Sequence, residues 1–184
     1  MKIVELELYQ FAELSDKAKE RARDWWRRYD DFDDDSTLSD AKAIAALIGI
    51  GACEIQYSGF ASQGDGASFT GIYNYKPDAL QTVIAYAPQD TKLHAIVSDI
   101  VAAGQETQIA IIRDNNCRYS HEYTMTISDG PNAMLDALRA FARWIYRQLE
   151  SAYDYQNSNE YIDDVLAINE YWFDVAGNRN TLGD

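Results

Sequence analysis

The amino-acid sequence predicts an α+β fold, with an antiparallel sheet of about four to six strands and helices packed mainly on one face. Stretches rich in aromatic and β-branched residues occur in neighbouring pairs, which is typical of hairpins. Stretches with apolar residues at helical spacing also occur in pairs, and they alternate with the hairpins along the chain. No linker or internal repeat interrupts the 184 residues, so we predict a single α+β domain over residues 1–184.

Each predicted helix begins at a residue that can cap its first turn. In chain order, the expected caps or first turns are Ser15, Ser36 or Ser39, Pro77-Asp78, Asp90, Asp129-Gly130-Pro131, and Ser158 or Asn159. The first helix should end near Tyr29, because the acidic run of residues 30–35 cannot complement the negative C-terminal end of a helix. The second should end at Gly49 or Gly51. The fifth should be the longest, since its apolar residues form one continuous stripe.

The predicted strands are residues 2–9, 52–60, 67–75, 107–114, 119–128 and 171–175. In the first of them, apolar Ile3, Leu6 and Leu8 alternate with two glutamates, as expected for a half-buried strand. Residues 107–114 and 119–128 flank an asparagine pair, and asparagine tolerates the left-handed backbone angles of a tight turn. We therefore expect these two strands to form a hairpin.

The glycine-rich segment "SGFASQGDGASF", residues 58–69, is the stretch that most resembles a chemical site. A phosphate-binding loop would need a helix after its glycines and a nearby cation. Here a predicted strand follows, and no basic residue occurs between Cys53 and Tyr75. We therefore predict the turn of a hairpin, in which Gln63 and Asp65 are candidates for contacts to a partner.

No residue pattern indicates catalysis or metal binding. Cys53, Cys117, His94 and His121 are isolated in the sequence, and we interpret the two cysteines as buried free thiols. Alternation along a strand would direct His121 and Glu122 to opposite faces, which argues against their acting together as acid and base. We therefore expect no catalytic residue, no metal and no cofactor.

The charge of the chain is strongly acidic and uneven. The formal net charge is -14, and because residues 1–28 carry +1, the remainder carries -15. Such a surface repels phosphate backbones, so we expect no direct binding to DNA or RNA but attraction to basic proteins. A mean hydropathy of -0.40, with no long apolar run and no leader peptide, predicts a cytoplasmic protein that does not enter a membrane.

Clustered carboxylates indicate how a basic partner would be bound. Carboxylates on a rigid surface can take the place of phosphates in a channel lined by Lys and Arg, and an aromatic ring among them can add a binding hot spot. The candidate partner-binding residues are Asp30, Asp31, Phe32, Asp33, Asp34, Asp35, Gln63, Asp65, Asp163 and Asp164. The run 30–35 lacks the glycine and the closing glutamate of an EF-hand loop, so calcium is not its expected ligand. The alternative is an acidic surface that only keeps the protein soluble.

Three segments carry a resemblance to a known family. They are "LYQFAELSDKAKERARDWW" at residues 8–26, "SGFASQGDGASF" at 58–69 and "ALRAFARWIYRQLESAYDY" at 137–155. With these segments the chain resembles, over nearly its whole length, a family of small bacteriophage and prophage proteins often labelled as antitoxins of toxin-antitoxin systems. The resemblance implies no active-site residue. It implies a phage accessory protein that acts against a host system.

Three function hypotheses follow from these observations. The first is an acidic phage protein that inhibits a host nucleic-acid-handling or defence protein by occupying its basic surface as a nucleic-acid mimic, in the manner of an anti-CRISPR, anti-restriction or antitoxin protein. It would act in the cytoplasm of the host bacterium. The second is a small hydrolase or transferase that uses residues 63–68 with Arg113 or His121. The third is a phage scaffold or assembly protein that forms homo-oligomers through exposed tyrosines and tryptophans.

Overall fold

The chain folds into helices and antiparallel sheets. The computed structural model describes residues 6–105, 108–114 and 116–181. Over these residues there are six α-helices and two antiparallel sheets, which confirms the predicted α+β class. The chain forms two compact units: unit 1 comprises Met1–Asp33 and Ala152–Asp184, and unit 2 comprises Asp34–Ser151. The single domain expected over residues 1–184 stays a prediction.

The helices and strands have the following bounds. The helices are α1 (Asp16–Tyr29), α2 (Asp35–Ile48), α3 (Ala79–Tyr86), α4 (Thr91–Ala103), α5 (Asn132–Gln156) and α6 (Asn159–Ile168). The strands are β1 (Tyr9–Gln10), β2 (Ile50–Ser58), β3 (Gly66–Asn74), β4 (Gln108–Arg113), β5 (Met125–Ile127), β6 (Trp172–Phe173) and β7 (Arg179–Asn180). Among the described residues, no helix has both the length and the apolar character that crossing a bilayer requires.

Unit 2 is built around a four-stranded sheet in the order β2-β3-β4-β5. Ile55 and Phe69 are partners on neighbouring antiparallel strands, so their side chains share one face of this sheet. Helix α5 covers that face, where the buried ring of Phe69 meets Phe141 edge to face at 5.6 Å. On the opposite face Ile72 and Ile112 each expose 46% of their surface. The helices therefore pack mainly on one face, as predicted.

Unit 1 combines α1 and α6 with a three-stranded sheet in the order β1-β6-β7. Its buried core consists of Phe11, Leu14, Ala18, Ala22, Trp26, Ile162, Leu166 and Phe173. Ala18, Ala22 and Trp26 follow one another at steps of four, so they lie on one face of α1. The sequence did not predict this sheet as a separate one, because each of its strands is only two residues long.

Of the strand predicted over residues 2–9, only Tyr9 is a strand residue among the described positions. Residues 6–8 form no strand, and β1 begins only at Tyr9, which pairs with Phe173. Residues 2–5 of this prediction lie outside the described residues. At Phe11 the chain enters a 3-10 turn that buries the ring, so burial of one aromatic side chain outweighs the apolar alternation before it.

Three predicted helix caps are confirmed. The side chains of Ser15, Asp90 and Ser158 accept the backbone N–H three residues further on, at 3.4, 2.9 and 3.2 Å respectively. Each of these bonds satisfies a donor that the first turn of a helix leaves without an intrahelical partner. The starts of α1, α4 and α6 could therefore be predicted from single capping residues.

Helix α2 starts differently from the prediction. It begins at Asp35, so neither Ser36 nor Ser39 lies at the cap position. The N-cap is Asp34, but its carboxylate accepts the Tyr57 hydroxyl at 2.7 Å instead of a backbone N–H of α2. A partner 23 residues away along the chain has therefore replaced the local cap.

The predicted strand over residues 119–128 shortens to the three residues of β5. Residues Glu122–Thr124 form a 3-10 turn instead. Thr124 holds this turn closed, because its N–H and its hydroxyl both bond to the His121 carbonyl, at 2.9 and 2.7 Å. The hydroxyl of one threonine thus competes with the ladder of the sheet.

Candidate functional site

The acidic segment after α1 is held in a fixed conformation within unit 1. The backbone of Asp33 is bonded on both sides by Gln156, whose side-chain oxygen accepts the Asp33 N–H at 3.0 Å and whose amide nitrogen donates to the Asp33 carbonyl at 2.7 Å. The ring of Phe32 meets Tyr153 edge to face at 5.6 Å. The N–H of Asp30 bonds back to Trp26 at 2.9 Å. The carboxylates of this segment therefore project from a rigid support.

A small cavity opens beside this segment. Its volume is about 200 Å³, and its lining consists of Trp26, Arg27, Asp30, Asp31, Phe32, Tyr153, Gln156 and Asn157. We call it the acidic aromatic cavity, since three aromatic rings and two carboxylates contribute to its wall. Small-molecule sites usually measure roughly 300–1,000 Å³, so this volume suits a single side chain better than a whole ligand.

Arg27 does not neutralise the two carboxylates, because its guanidinium is engaged elsewhere. It donates to Asp24 at 3.0 Å, to the Asn157 carbonyl at 3.3 Å and to Asn159 at 2.5 Å. By contrast, the side chains of Asp30 and Asp31 make no hydrogen bond or ion pair with any residue that the structure describes. Two negative charges are left for an incoming cation.

The charge environment of Asp30 also favours binding of a cation in the cavity. Partial burial raises the pKa of Asp30 above its ordinary value, and the neighbouring charges of Asp31 and Asp33 raise it further. Burial and like charges both disfavour the ionised carboxylate. A positive group placed beside Asp30 would offset both the burial of its carboxylate and the repulsion from neighbouring carboxylates. The cavity therefore favours a cation as its ligand.

A lysine or arginine head group matches this arrangement chemically. Aromatic faces attract such cations through their negative quadrupole, and carboxylates form strong charge-assisted hydrogen bonds with them. Sequence reasoning selected Asp30, Asp31, Phe32 and Asp33 but missed Trp26, Tyr153 and Gln156. Those three lie on helices whose periodicity indicates only burial, and nothing in the sequence links them to the acidic run.

The remaining predicted aspartates do not line the acidic aromatic cavity. Asp34 and Asp35 belong to unit 2, where Asp34 accepts the Tyr57 hydroxyl and Asp35 is the first residue of α2. In unit 1, Asp163 is bonded to Arg23, whereas the adjacent Asp164 is exposed. The carboxylate of Asp163 is therefore already paired within unit 1, whereas that of Asp164 is accessible to a partner.

The glycine-rich segment forms the predicted hairpin turn in unit 2. Asp65 shapes it, because one oxygen of its carboxylate accepts the N–H of Ala61 at 2.8 Å and that of Ser62 at 2.6 Å. Gly59 and Gly64 have positive φ angles of 41° and 103°, which glycine adopts at little cost. Gln63 at the tip is exposed. Asp65 has a structural task here, and Gln63 remains the accessible candidate.

The expectation that His121 and Glu122 point to opposite faces of a strand is wrong. The 3-10 turn brings His121 Nδ1 to 2.9 Å from the carboxylate of Glu122, a buried side chain that Arg143 also contacts at 3.4 Å. The imidazole also lies against the hairpin, since a Cβ added to Gly66 would come within 2.8 Å of His121 Cδ2. Arg113 bonds to the carbonyl of Tyr119 at 3.4 Å, just before this turn.

The cysteines differ from the interpretation as fully buried thiols, since both are free but only half-buried. Burial is still the main reason why the pKa of Cys53 is raised to about 11. Over the described residues, no group of three or more His, Cys, Asp or Glu side chains is arranged to hold a metal ion.

Comparison with known families places the chain in one of them. A family model described as Domain of unknown function (DUF8835) matches residues 34–159. The chain belongs to the DUF8835 family. No curated protein and no solved structure matches it. The DUF8835 match begins at Asp34, where unit 2 also begins, and it includes Tyr153 and Gln156 of the acidic aromatic cavity but not residues 30–33.

Proposed function

We propose that this DUF8835 protein is an acidic, phage-derived binding protein that inhibits a host nucleic-acid-handling or defence protein by occupying its basic surface. The observation that supports the proposal is the acidic aromatic cavity, in which Asp30 and Asp31 carry unpaired charge beside three aromatic rings. A lysine or arginine of the partner would enter this cavity. The protein thereby takes the place that nucleic-acid phosphates would otherwise hold.

The charge of unit 1 supports attraction over a longer range. Its two chain segments, Met1–Asp33 and Ala152–Asp184, contain sixteen acidic and eight basic residues. An excess of this size steers basic partners toward the surface and repels polyanions. The cavity would then provide the short-range contact, since an aromatic pocket that excludes water is typical of a binding hot spot.

The test is capture of host proteins on the immobilised full chain. Wild type is compared with the double variant Asp30→Asn/Asp31→Asn and with Asp99→Asn/Asp136→Asn, which loses the same charge from exposed positions of unit 2. Bacterial lysate is applied at low and at high salt, and bound proteins are identified by mass spectrometry. We expect basic nucleic-acid-binding proteins on wild type and on the control pair, at least tenfold less on the cavity variant, and loss at high salt.

Two results would contradict the proposal. One is capture that is the same for the cavity variant as for wild type. The other is capture that does not weaken between about 0.1 M and 1 M salt, because the Debye length falls from roughly 10 Å to 3 Å over that range. A captured protein should also be released by added DNA or RNA, since the two would compete for one basic surface.

A hydrolase is a second candidate function, and the position of His121 favours it. Its Nδ1 lies 2.9 Å from the Glu122 carboxylate and also accepts the Tyr123 N–H at 3.3 Å, so two contacts orient the imidazole. A base oriented by a buried carboxylate beside a glycine-rich turn could activate water. Hydrolysis of p-nitrophenyl acetate or phosphate should then be lost in His121→Ala and retained in His94→Ala. Equal rates in both variants would exclude this role.

A further inference from the structure

We propose that unit 2 contains a separate binding site for an amphipathic anion, a small molecule that joins a carboxylate or phosphate to a flat apolar body. The site is a groove of about 450 Å³ between α4 and α5. Its lining consists of Asp90, Lys92, Ile96, Ala140, Arg143, Trp144, Arg147 and Gln148. This volume lies within the range of roughly 300–1,000 Å³ that is usual for small-molecule sites.

The groove concentrates positive charge in a strongly acidic unit. Asp34–Ser151 contains fourteen acidic residues and eight basic ones, and three of the eight, Lys92, Arg143 and Arg147, line this one groove. The single lining carboxylate, Asp90, is already used, because it accepts the Leu93 N–H at 2.9 Å and the Trp144 indole N–H at 2.7 Å. The lining therefore favours an anion.

The cations retain hydrogen-bond donors for a ligand. Arg143 uses one nitrogen for Glu122 at 3.4 Å, and Arg147 uses one for Glu150. A guanidinium has five N–H donors, and these side chains remain 51% and 71% exposed. Lys92 forms no hydrogen bond or ion pair with any described residue. An anion can thus be bound without breaking an existing pair.

The rest of the lining suits a flat apolar body. Ile96, Ala140 and the indole of Trp144 are apolar surfaces, and the indole is held rigid by stacking on Phe141 with an angle of 7° between the rings. Its N–H bond to Asp90 fixes the remaining rotation. A rigid aromatic wall beside exposed cations suits a ring that carries an acidic group.

This site is independent of the acidic aromatic cavity, since the two have opposite charge and lie in different units. The test is isothermal titration of the full chain with 1-naphthoate and with adenosine 5′-monophosphate as probes. The neutral compounds 1-naphthalenemethanol and adenosine are titrated in parallel. We expect at least one of the two anions to bind, and its neutral counterpart to bind at least tenfold more weakly.

Variants locate the binding. Lys92→Ala/Arg147→Ala should weaken binding of the anion at least tenfold, whereas Lys42→Ala/Arg118→Ala, which removes two cations of unit 2 outside the groove, should leave it within twofold. All of these side chains are exposed, and circular dichroism checks that each variant is folded. The proposal is overturned by three results: no binding of either anion at millimolar concentration, equal binding of the neutral compounds, or equal weakening in both double variants.

Discussion

The guanidinium of Arg23 binds the carboxylate of Asp163 through two parallel bonds, from Nε at 2.6 Å and from Nη2 at 2.8 Å. This two-point contact joins α1 to α6 within unit 1. It is also the main reason why the pKa of Arg23 is raised above its ordinary value. The arginine side chain is only 16% exposed, so the pair is better shielded than a typical surface ion pair.

Removing this carboxylate should destabilise unit 1. Asp163→Asn should lower the free energy of unfolding by about 1–2 kcal/mol, because a charge-assisted pair is lost and a half-buried arginine loses a partner. Asp164→Asn is the matched control, since its exposed neighbouring carboxylate should contribute less than about 0.5 kcal/mol. Urea unfolding followed by circular dichroism measures both. Equal midpoints for the two variants would show that the pair does not stabilise the fold.

Asp30 should lower stability at neutral pH, in contrast to Asp163. Its pKa is raised above 3.8 in the folded protein, so the folded state binds this proton more tightly than the unfolded chain does. The ionised carboxylate is therefore destabilising above the raised pKa, and stability is recovered as the pH falls through it. Asp30→Asn should raise the Tm at pH 7, and the gain should vanish near pH 3. A lower Tm for Asp30→Asn at pH 7 would contradict this.

Gly49 should tolerate no side chain, whereas Gly51 should accept one. Gly49 ends α2 with φ at 102°, and an added Cβ would lie 2.2 Å from the Asn74 carbonyl oxygen. Gly49→Ala should therefore cost more than about 2 kcal/mol, from backbone strain and the clash together. At Gly51 the nearest atom would be 3.9 Å away, so Gly51→Ala should change stability by less than about 1 kcal/mol. Thermal unfolding of both variants measures the difference.

Cys53 should react slowly with electrophiles. With its pKa raised to about 11, the thiolate fraction at pH 8 is on the order of one in a thousand, against roughly one in four for a free thiol near pKa 8.5. Alkylation by iodoacetamide at pH 8 should be roughly a hundredfold slower in the folded protein than in guanidinium. Peptide mapping separates Cys53 from Cys117, whose pKa is also raised, first by burial and then by Asp114. Labelling of Cys53 at the unfolded rate would refute the prediction.

Local signals were sufficient for part of the fold. Ser15, Asp90 and Ser158 cap the helices that the sequence assigned to them, because an N-cap depends only on residues within one turn. The start of α2 could not be predicted in this way. Its N-cap, Asp34, bonds to Tyr57 on a strand, and that pairing exists only once the sheet has formed.

The candidate sites likewise combine residues that the sequence could identify with contacts that it could not. The acidic run was visible as composition, so Asp30 and Asp31 could be named in advance. Whether a carboxylate is paired depends on distant residues, and the pairing of Asp163 with Arg23, 140 positions earlier, has no local signature. The contact between His121 and Glu122 was missed because a 3-10 turn replaced the strand on which alternation was assumed. Tertiary context therefore determined which polar groups remained accessible.

The shared use of Asp90 by the Leu93 N–H and the Trp144 indole has a spectroscopic consequence. Trp144 is the only tryptophan between residues 34 and 151, and its indole N–H donates to that carboxylate, so we expect its emission to respond to loss of this bond. If the first turn of α4 frayed, the Asp90 carboxylate would move away from the Trp144 indole N–H. The emission spectrum of Trp144 would then shift. Unit 2 thus contains an intrinsic optical reporter of its own helix terminus, readable without any added label.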